Sequence, residues 1–304
     1  MNKTSLIKHA IIFFLFAIPL STYFCRCRQS DSKEQFETDD IELYSDTIPF
    51  SIKKNRVIVN TGIEGNSAIP LFLDNGAIQT IIDETYLSKI NNKHSIDTLL
   101  GMEFPVYKLF SKLKVRLNSF TFEIDTIRII DFKLFDPSIK YGILGYEFFK
   151  DRIVRLSFKD SIIIVSNNLP DTVGYEKFKL YDIANQSVKY FIFKFYKTND
   201  FKEVNVGIDL GSPISFIQIE LILDLDDSIK NSIHSKSVFS DMLYKAIVRN
   251  KTDLLASSLP DGFCSNLNDL QGLLGIAFLK RFDVIIDDIN MYLYIKPIDY
   301  DKKQ

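Results

Sequence analysis

Short apolar segments alternate with turn residues along most of the chain from about residue 49 onward. The segments are rich in β-branched and aromatic side chains, which is typical of β-strands. They occupy residues 56–60, 68–73, 79–83, 112–117, 120–130, 152–158 and 161–165. Helical patterns are confined to residues 83–90 and 240–248. The pattern therefore predicts an all-β protein with few short helices and a closed or sandwiched architecture.

One pattern occurs twice in the chain. An apolar strand ends in Asp-x-Gly at residues 71–77 (LFLDNGA) and again at residues 206–212 (VGIDLGS). Further along each copy, two apolar residues separate two glycines, and the following sequence stays in register. Residues 142–165 align without gaps with residues 272–295. A repeat of this length indicates an internal duplication of one structural unit.

The duplication predicts two lobes of similar fold. We place the first lobe at residues 45–167 and the second at residues 168–300. They join near residues 166–174, where turn-forming residues are concentrated.

Each copy of the pattern carries one candidate catalytic carboxylate, Asp74 and Asp209, where a strand ends in a sharp turn. The glycine of the turn permits a backbone conformation and a close approach that a side chain would block. Two such turns related by pseudo-symmetry can bring their carboxyl groups face to face, and like charges that close share one proton. One carboxylate can then activate water while the other protonates or polarises a carbonyl group.

These motifs resemble those of the aspartic proteases, specifically the bacterial retropepsin and pepsin-like group. The family pattern is two apolar residues, Asp, Thr or Ser, Gly, and Ala or Ser, followed later in each lobe by two apolar residues and Gly. Both elements occur twice here, and the resemblance covers roughly residues 50–297. The motif positions besides the two Asp residues are expected to support the site, and they hold Asn75, Gly76, Ala77, Gly145, Leu210, Gly211, Ser212 and Gly275.

The resemblance implies two β-barrel lobes with a cleft between them. Asp74 and Asp209 would form the catalytic pair and hydrolyse peptide bonds at acidic to mildly acidic pH, with no cofactor. The substrate would be a peptide or protein segment in an extended conformation, which can pair with exposed strand edges.

Two positions depart from the family pattern. The residue after each Asp is Thr or Ser in the family, and its hydroxyl bonds across the lobe interface, but here these positions hold Asn75 and Leu210. An amide can make such a bond and Leu cannot. We therefore expect either an unsatisfied polar partner, at a cost of about 1–3 kcal/mol, or a site built differently. Ser212 could donate a hydrogen bond to Asp209, which predicts that Asp209 is the more acidic partner and that Asp74 holds the shared proton.

Leu210 also favours an alternative of another class, a catalytically impaired homologue that binds peptide, protein or glycan at the cell envelope. A single Asp-x-Gly is most often only a turn, but the duplicated pair favours the protease-like fold. The segment at residues 206–215 also resembles the phosphate-binding turn of the actin, heat-shock ATPase and sugar-kinase superfamily. That superfamily needs several further nucleotide-binding loops, and too little sequence follows residue 209 to supply them.

Residues 1–24 are predicted to be an export signal, with a basic start and an apolar run at residues 10–20 that is too short for a comfortable membrane span. Cys25 and Cys27 come next, within a polar tether at residues 25–44. This layout is that of a bacterial lipoprotein, although the residues before Cys25 fit a lipidation site poorly. Lipid anchoring through Cys25 or Cys27 and plain secretion stay open, with a signal anchor as a weaker option. Each places the protein in the periplasm or at the cell surface.

Composition excludes several other functions. The chain has 37 basic and 39 acidic residues, so it lacks the positive charge of a nucleic-acid-binding protein. Three cysteines cannot form a disulfide framework. The histidines, His9, His94 and His234, lack the spacing of metal ligands. The acidic pair Asp287-Asp288 is expected to lie in a solvated turn, because the ligand spacing of a calcium site is missing.

Overall fold

The structure is a computed structural model. It describes residues 43–89, 97–99, 107–132, 142–183, 189–197, 200–218, 254–257 and 270–298. The predicted export signal, nearly all of the predicted tether, the cysteines, the histidines and the helix predicted at residues 240–248 lie outside the described residues. Within the described ranges, no helix combines the length and apolar character needed to cross a membrane.

β-Strands dominate the described residues. In the first half of the chain they are β1 (Ser45–Pro49), β2 (Ser51–Lys53), β3 (Arg56–Ile63), β4 (Asn66–Leu73), β5 (Ile81–Asp83), β6 (Asp97–Leu99), β7 (Tyr107–Leu117), β8 (Phe120–Ile130), β9 (Gly142–Leu144), β10 (Ile153–Ser157) and β11 (Ile162–Ser166). In the second half they are β12 (Glu176–Asp182), β13 (Lys189–Lys197), β14 (Asp200–Ile208), β15 (Ser215–Gln218), β16 (Leu254–Ser257), β17 (Gly272–Leu274), β18 (Phe282–Asp287) and β19 (Tyr292–Pro297).

Helices in the described residues are short. Two are 3₁₀ helices, Glu84–Lys89 and Tyr146–Phe148, and the α-helix α1 spans Ile276–Leu279. The first of them coincides with the helix predicted at residues 83–90. The prediction of an all-β protein with few short helices is confirmed.

The strands form two sheets. The first has eight strands in the order β2-β3-β4-β9-β5-β8-β7-β6, and a further pairing of β3 with β7 gives it a barrel-like form. The second has eleven strands in the order β1-β11-β10-β18-β19-β12-β13-β14-β17-β15-β16. Its first six strands come in equal number from the two halves of the chain, so this part of the sheet joins the halves.

The two halves fold alike. β4 pairs in parallel with β9, and β14 pairs in parallel with β17. In both halves, therefore, the strand that ends in Asp lies beside the strand that ends in the repeated glycine turn. Between the halves, β10 pairs antiparallel with β18, and Arg155 lies opposite Ile285, its own counterpart in the repeat. This register is the one expected for two copies of a unit related by a pseudo-two-fold axis.

The hydrophobic core runs through both halves without a break. Strands such as β8 bury alternate residues, which is the period of a sheet with one face in the core. Phe148 and Phe278, which are counterparts in the repeat, are both fully buried. Because the core is continuous, the turns that carry Asp74 and Asp209 are held in a fixed relation to each other.

Candidate active site

Asp74 and Asp209 follow β4 and β14 and meet between the two halves. The backbone N–H of Asp74 donates to the carbonyl oxygen of Leu144 at 2.9 Å, and that of Asp209 donates to Leu274 at 3.0 Å. Only 4% of Asp74 and 5% of Asp209 is exposed, and Oδ1 of each carboxyl group lies against Gly76. The structure thus brings together the two carboxylates that the repeat singled out.

The backbone of each turn holds its own carboxyl group. Oδ1 of Asp74 accepts hydrogen bonds from the N–H groups of Gly76 at 2.8 Å and Ala77 at 3.0 Å. Oδ1 of Asp209 accepts from the corresponding N–H groups, at 2.8 Å and 3.2 Å. The two turns therefore orient their carboxylates in the same way.

The glycine of each turn lies against the carboxyl group of the opposite half. A Cβ atom on Gly211 would lie 2.1 Å from Cγ of Asp74. A Cβ atom on Gly76 would lie 3.2 Å from Oδ1 of Asp209 and 3.1 Å from Oδ1 of Asp74. The carboxyl groups approach each other this closely because neither turn carries a side chain at that position.

The repeated glycine turns pass directly beneath the Asp turns. A Cβ atom on Gly275 would lie 2.1 Å from the carbonyl oxygen of Ile214, and one on Gly145 would lie 2.5 Å from backbone of the first Asp turn. The N–H of Gly145 donates to the hydroxyl of Thr80 at 3.1 Å, and that of Gly275 donates to the hydroxyl of Ser215 at 2.8 Å. Sequence reasoning missed both hydroxyls. They occupy matching positions after their Asp residues, so extending the repeat alignment would have found them.

Asn75 ties the two Asp turns together. Its Nδ2 donates to the carbonyl oxygen of Ile208 at 2.8 Å, and its Oδ1 accepts from the N–H of Leu210 at 2.7 Å. The side chain of Leu210 is fully buried in the core. The sequence left two outcomes open for Leu210, an unsatisfied polar partner or a site built differently, and the structure shows the second. The Asn75 amide makes the two bonds to the second Asp turn, and Leu210 takes part through its backbone N–H.

Replacing this amide should weaken the fold measurably. Asn75→Leu is expected to lower the free energy of unfolding by about 2–4 kcal/mol, because one buried N–H and one buried carbonyl each lose their partner. Asn75→Thr should lose less, since a hydroxyl both donates and accepts. Urea denaturation of the two variants tests this. Equal stability of Asn75→Leu and wild type would mean that these bonds contribute nothing to folding.

The expected role of the Ser212 hydroxyl is wrong. The hydroxyl donates to the carbonyl oxygen of Ile214 at 2.7 Å. Only the backbone N–H of Ser212 binds Asp209. The reason is local, since Ser hydroxyls readily bond to backbone groups a few residues away.

The two carboxyl groups are electrostatically unequal. Burial raises the pKa of Asp74 well above its usual value, and the negative charge of Asp209 raises it further, while the turn N–H groups and Arg56 oppose the shift. Burial raises the pKa of Asp209 to about 6, against the effect of its turn N–H groups and the hydrogen bond from Asp74. Asp74 therefore holds the proton and Asp209 carries the charge. This is the order predicted from the sequence, but the Ser212 hydroxyl does not account for it. The charge of Asp209 raises the pKa of Asp74, and the hydrogen bond from Asp74 lowers the pKa of Asp209.

Glu147 is a partly buried carboxyl group beside the first Asp turn, and sequence reasoning missed it. It accepts hydrogen bonds from the backbone N–H of Thr80 at 2.8 Å and from the Thr80 hydroxyl at 3.1 Å. Burial raises the pKa of Glu147 to about 7, although these bonds oppose the shift. The carboxyl group of Glu147 is thus a titrating group that is hydrogen-bonded to the segment following Asp74.

These raised pKa values predict that stability falls as the pH rises. Asp74, Asp209 and Glu147 keep protons in the folded chain that the unfolded chain has already released. Their contribution is complete below the unfolded pKa of a carboxyl group, near pH 4, and is lost as the pH rises through the folded pKa values. Each proton that only the folded chain holds makes the free energy of unfolding fall by about 1.4 kcal/mol per pH unit.

Urea denaturation between pH 4 and about 7.5 checks this dependence. Glu147→Gln should make the slope shallower between about pH 4.5 and 7, the interval of its pKa shift. Glu123→Gln, at an exposed position on β8, is the control and should leave the slope unchanged. Parallel curves for Glu147→Gln and wild type would contradict the prediction.

The expectation that Asp287 and Asp288 lie in a solvated turn is wrong, since they are 0% and 9% exposed. Asp287 accepts hydrogen bonds from the backbone and side chain of Asn290. Asp288 accepts from the Tyr146 hydroxyl and pairs with Lys189. These partners allow both carboxylates to be buried. In the described part of the chain, no three His, Cys, Asp or Glu side chains are grouped as metal ligands.

Two similar β lobes with paired Asp-x-Gly turns define a fold of the aspartic-protease type. Among solved structures, the crystal structure of an aspartic proteinase from Irpex lacteus matches this chain with a TM-score of 0.47 and 11% sequence identity. The match covers 86% of this chain and 99% of that chain. No family model and no curated protein matches the sequence.

Proposed function

We propose that the chain is an aspartic-type peptidase of the bacterial retropepsin and pepsin-like group. It hydrolyses peptide bonds with a water molecule activated between Asp74 and Asp209. The observation that carries this proposal is the pair of buried carboxyl groups that meet across the glycines of the two Asp turns, at the interface of the two halves. Such a pair supplies one acid and one base at the same place.

The unequal carboxyl groups divide the work. Asp209 takes a proton from water as the water oxygen attacks the carbonyl carbon of the peptide, and Asp74 gives its proton to the carbonyl oxygen. In the resulting gem-diol, Asp209 then protonates the amide nitrogen while Asp74 takes a proton back from one hydroxyl. The C–N bond breaks, a carboxylic acid and an amine leave, and both Asp residues return to their starting states.

The pKa values set the pH range of this reaction. The base must be ionised and the acid protonated, so activity rises as the pH passes the pKa of Asp209, about 6. It falls again when Asp74 loses its proton at higher pH. The rise of activity with pH therefore lies near pH 6, at the upper end of the acidic to mildly acidic range that the family resemblance implied.

The proposed substrate is a peptide or protein segment in an extended conformation, held by strand pairing. Export to the periplasm or cell surface, with or without a lipid on Cys25 or Cys27, is part of the proposal and would give the enzyme access to envelope proteins. The alternative of a catalytically impaired binding module drew its support from Leu210. Since the Asn75 amide bonds to the backbone of Leu210, that position no longer favours the alternative.

Cleavage of a peptide library tests the proposed function. The protein is incubated with the library between about pH 4 and 8, and products are identified by mass spectrometry. We expect defined cleavage sites for wild type and none for the double variant Asp74→Asn/Asp209→Asn, which controls for contaminating peptidases. A folded wild-type protein that cleaves nothing at any pH would overturn the proposal.

A further inference from the structure

A cluster of two buried charged residues and one half-buried tyrosine joins the two halves behind the Asp turns. It consists of Tyr146 from the first half and of Lys189 and Asp288 from the second, and is called the interlobe cluster below. The Tyr146 hydroxyl donates to Oδ1 of Asp288 at 2.9 Å. The Lys189 ammonium lies 3.1 Å from the same oxygen.

The first half holds Asp288 through its backbone as well. Oδ2 of Asp288 accepts from the N–H of Asp151 at 2.9 Å, and the N–H of Asp288 donates to the carbonyl oxygen of Arg152 at 3.0 Å. Lys189 has a second carboxylate partner, Asp182, at 2.8 Å. The buried charges are thus fully paired, which is the condition for a buried ionic cluster to persist.

The internal repeat shows that the fold does not need polar residues at these positions. In the gap-free alignment, the counterpart of Tyr146 is Ile276 and the counterpart of Asp288 is Phe158. Both counterparts belong to the main hydrophobic core. The same structural positions are therefore packed with apolar side chains in the other copy.

Lys189, the third member of the cluster, also has an apolar counterpart in the other copy. Lys189 lies opposite Ile208, the residue before Asp209. In the first half, β3 pairs with β4 in the equivalent register, which puts Val57 at the matching position. Val57 is fully buried in the core. All three polar residues thus replace apolar counterparts, and all three lie where the halves meet.

The cluster is connected to the Asp turns in two ways. A cavity of about 10 Å³, enough for one water molecule, is lined by Asn75 and Ile208 together with Tyr146, Lys189 and Asp288. The backbone N–H of Tyr146 also donates to the carbonyl oxygen of Ala77 in the first Asp turn at 2.8 Å. The cluster therefore borders both the amide that ties the turns and the turn that carries Asp74.

We infer that the interlobe cluster is a set of positioning residues for the carboxyl pair. Asn75 makes one tie between the Asp turns, and the cluster takes the place of the second tie, which a hydrogen-bonding side chain at position 210 would make and Leu210 cannot. The inference depends on the proposed peptidase function. The cluster residues act through Asn75 and the Ala77 carbonyl. Because small misplacements of reacting groups slow catalysis strongly, loss of the cluster should lower kcat and leave KM nearly unchanged.

The apolar counterparts supply the main test. The triple variant Tyr146→Ile/Lys189→Val/Asp288→Phe gives this site the side chains that the other copy carries. Its stability should equal or exceed that of wild type, since apolar replacements of buried ion pairs are often neutral or stabilising. We expect kcat to fall by about 10–100-fold. Wild-type kcat in the folded triple variant would overturn the inference.

A single hydroxyl provides a second test if the triple variant does not fold. Tyr146→Phe removes only the bond to Asp288, and Tyr294→Phe, at a buried tyrosine outside the cluster, is its control. Leu210→Asn, the residue of the other copy, is then added to Tyr146→Phe. If the cluster replaces the missing side-chain bond, Leu210→Asn raises kcat in the Tyr146→Phe background more than in wild type. Strictly additive effects, which a purely structural role would give, contradict the inference.

A measurement that does not need activity separates this inference from the proposed function. ¹³C NMR titration of the Asp carboxyl groups follows the two protons of the pair directly. If wild type cleaves no peptide, the proposed function fails, but the titration still decides the role of the cluster. We expect the two titration steps to move closer together in the variants of Tyr146, because the carboxyl groups move apart. Unchanged steps would overturn the inference.

Discussion

Asp74→Asn and Asp209→Asn should each reduce kcat/KM for peptide hydrolysis by about 10³-fold or more. One general acid or base typically contributes about 10²–10⁴-fold to the rate. Asn has nearly the shape of Asp but neither takes a proton from water nor gives one to a carbonyl. Because Asp209 serves as base and Asp74 as acid, neither can replace the other. Steady-state kinetics near pH 6–7 on a cleaved library peptide measure the effect.

The controls separate lost chemistry from lost structure. Asp74→Asn should be about as stable as wild type near pH 6–7, because an amide, like the protonated Asp74 carboxyl, is neutral and can donate a hydrogen bond to Asp209. Asp83→Asn changes another buried Asp of the first half, whose carboxyl accepts from the backbone N–H groups of Thr85 and Phe132. It should lose stability but keep kcat/KM within a few-fold in its folded fraction. The two-carboxylate mechanism is wrong if Asp74→Asn keeps more than about a tenth of the activity.

Gly211→Ala should displace the Asp74 carboxyl group and so damage the site severely. Its Cβ atom would lie 2.1 Å from Cγ of Asp74, closer than real Cβ contacts allow, so the carboxyl group must leave its place. We expect kcat/KM to fall by about 10²-fold or more, the cost of a displacement of about 1 Å at a reacting group.

Gly76→Ala is the matched control, because Gly76 is the counterpart of Gly211 in the repeat. Its nearest contacts would be 3.1 and 3.2 Å, which small shifts can relieve, so the loss of activity should be several-fold smaller. Activity assays and urea denaturation of both variants give the comparison. An equal or larger loss for Gly76→Ala would show that the carboxyl pair is not packed as described.

The sequence was sufficient to predict the paired Asp turns and many of the strands, because both are local patterns, but strands such as β12 and β13 were not predicted. The residues of an Asp-x-Gly segment themselves favour a sharp turn after the strand. The repeat indicated that the two turns are equivalent and face each other across a pseudo-two-fold axis. The role of Asn75 was only half predictable. Its amide was recognised as able to bond, but its partners are backbone groups of Ile208 and Leu210, and backbone partners leave no mark in the pattern of residue types.

Burial of polar residues was the main feature that the sequence did not predict. Asp288 follows another Asp, a pattern typical of a solvated turn, and only the long-range contacts with Tyr146 and Lys189 explain its burial. Ser212 had two acceptors within reach, and the choice between them depends on the exact path of the turn. In both cases the deciding atoms are brought together by the fold.

The pairing of β10 with β18 bears on how the duplicated halves depend on each other. Arg155 faces Ile285 on the pseudo-two-fold axis and forms a bidentate ion pair with Asp283 at 2.6 and 3.0 Å. In a homodimer of two first halves, Arg155 would face its own copy, and like charges directly opposite each other destabilise a sheet. At the β10–β18 pairing the two halves are therefore complementary and not interchangeable, and their covalent linkage guarantees a one-to-one stoichiometry.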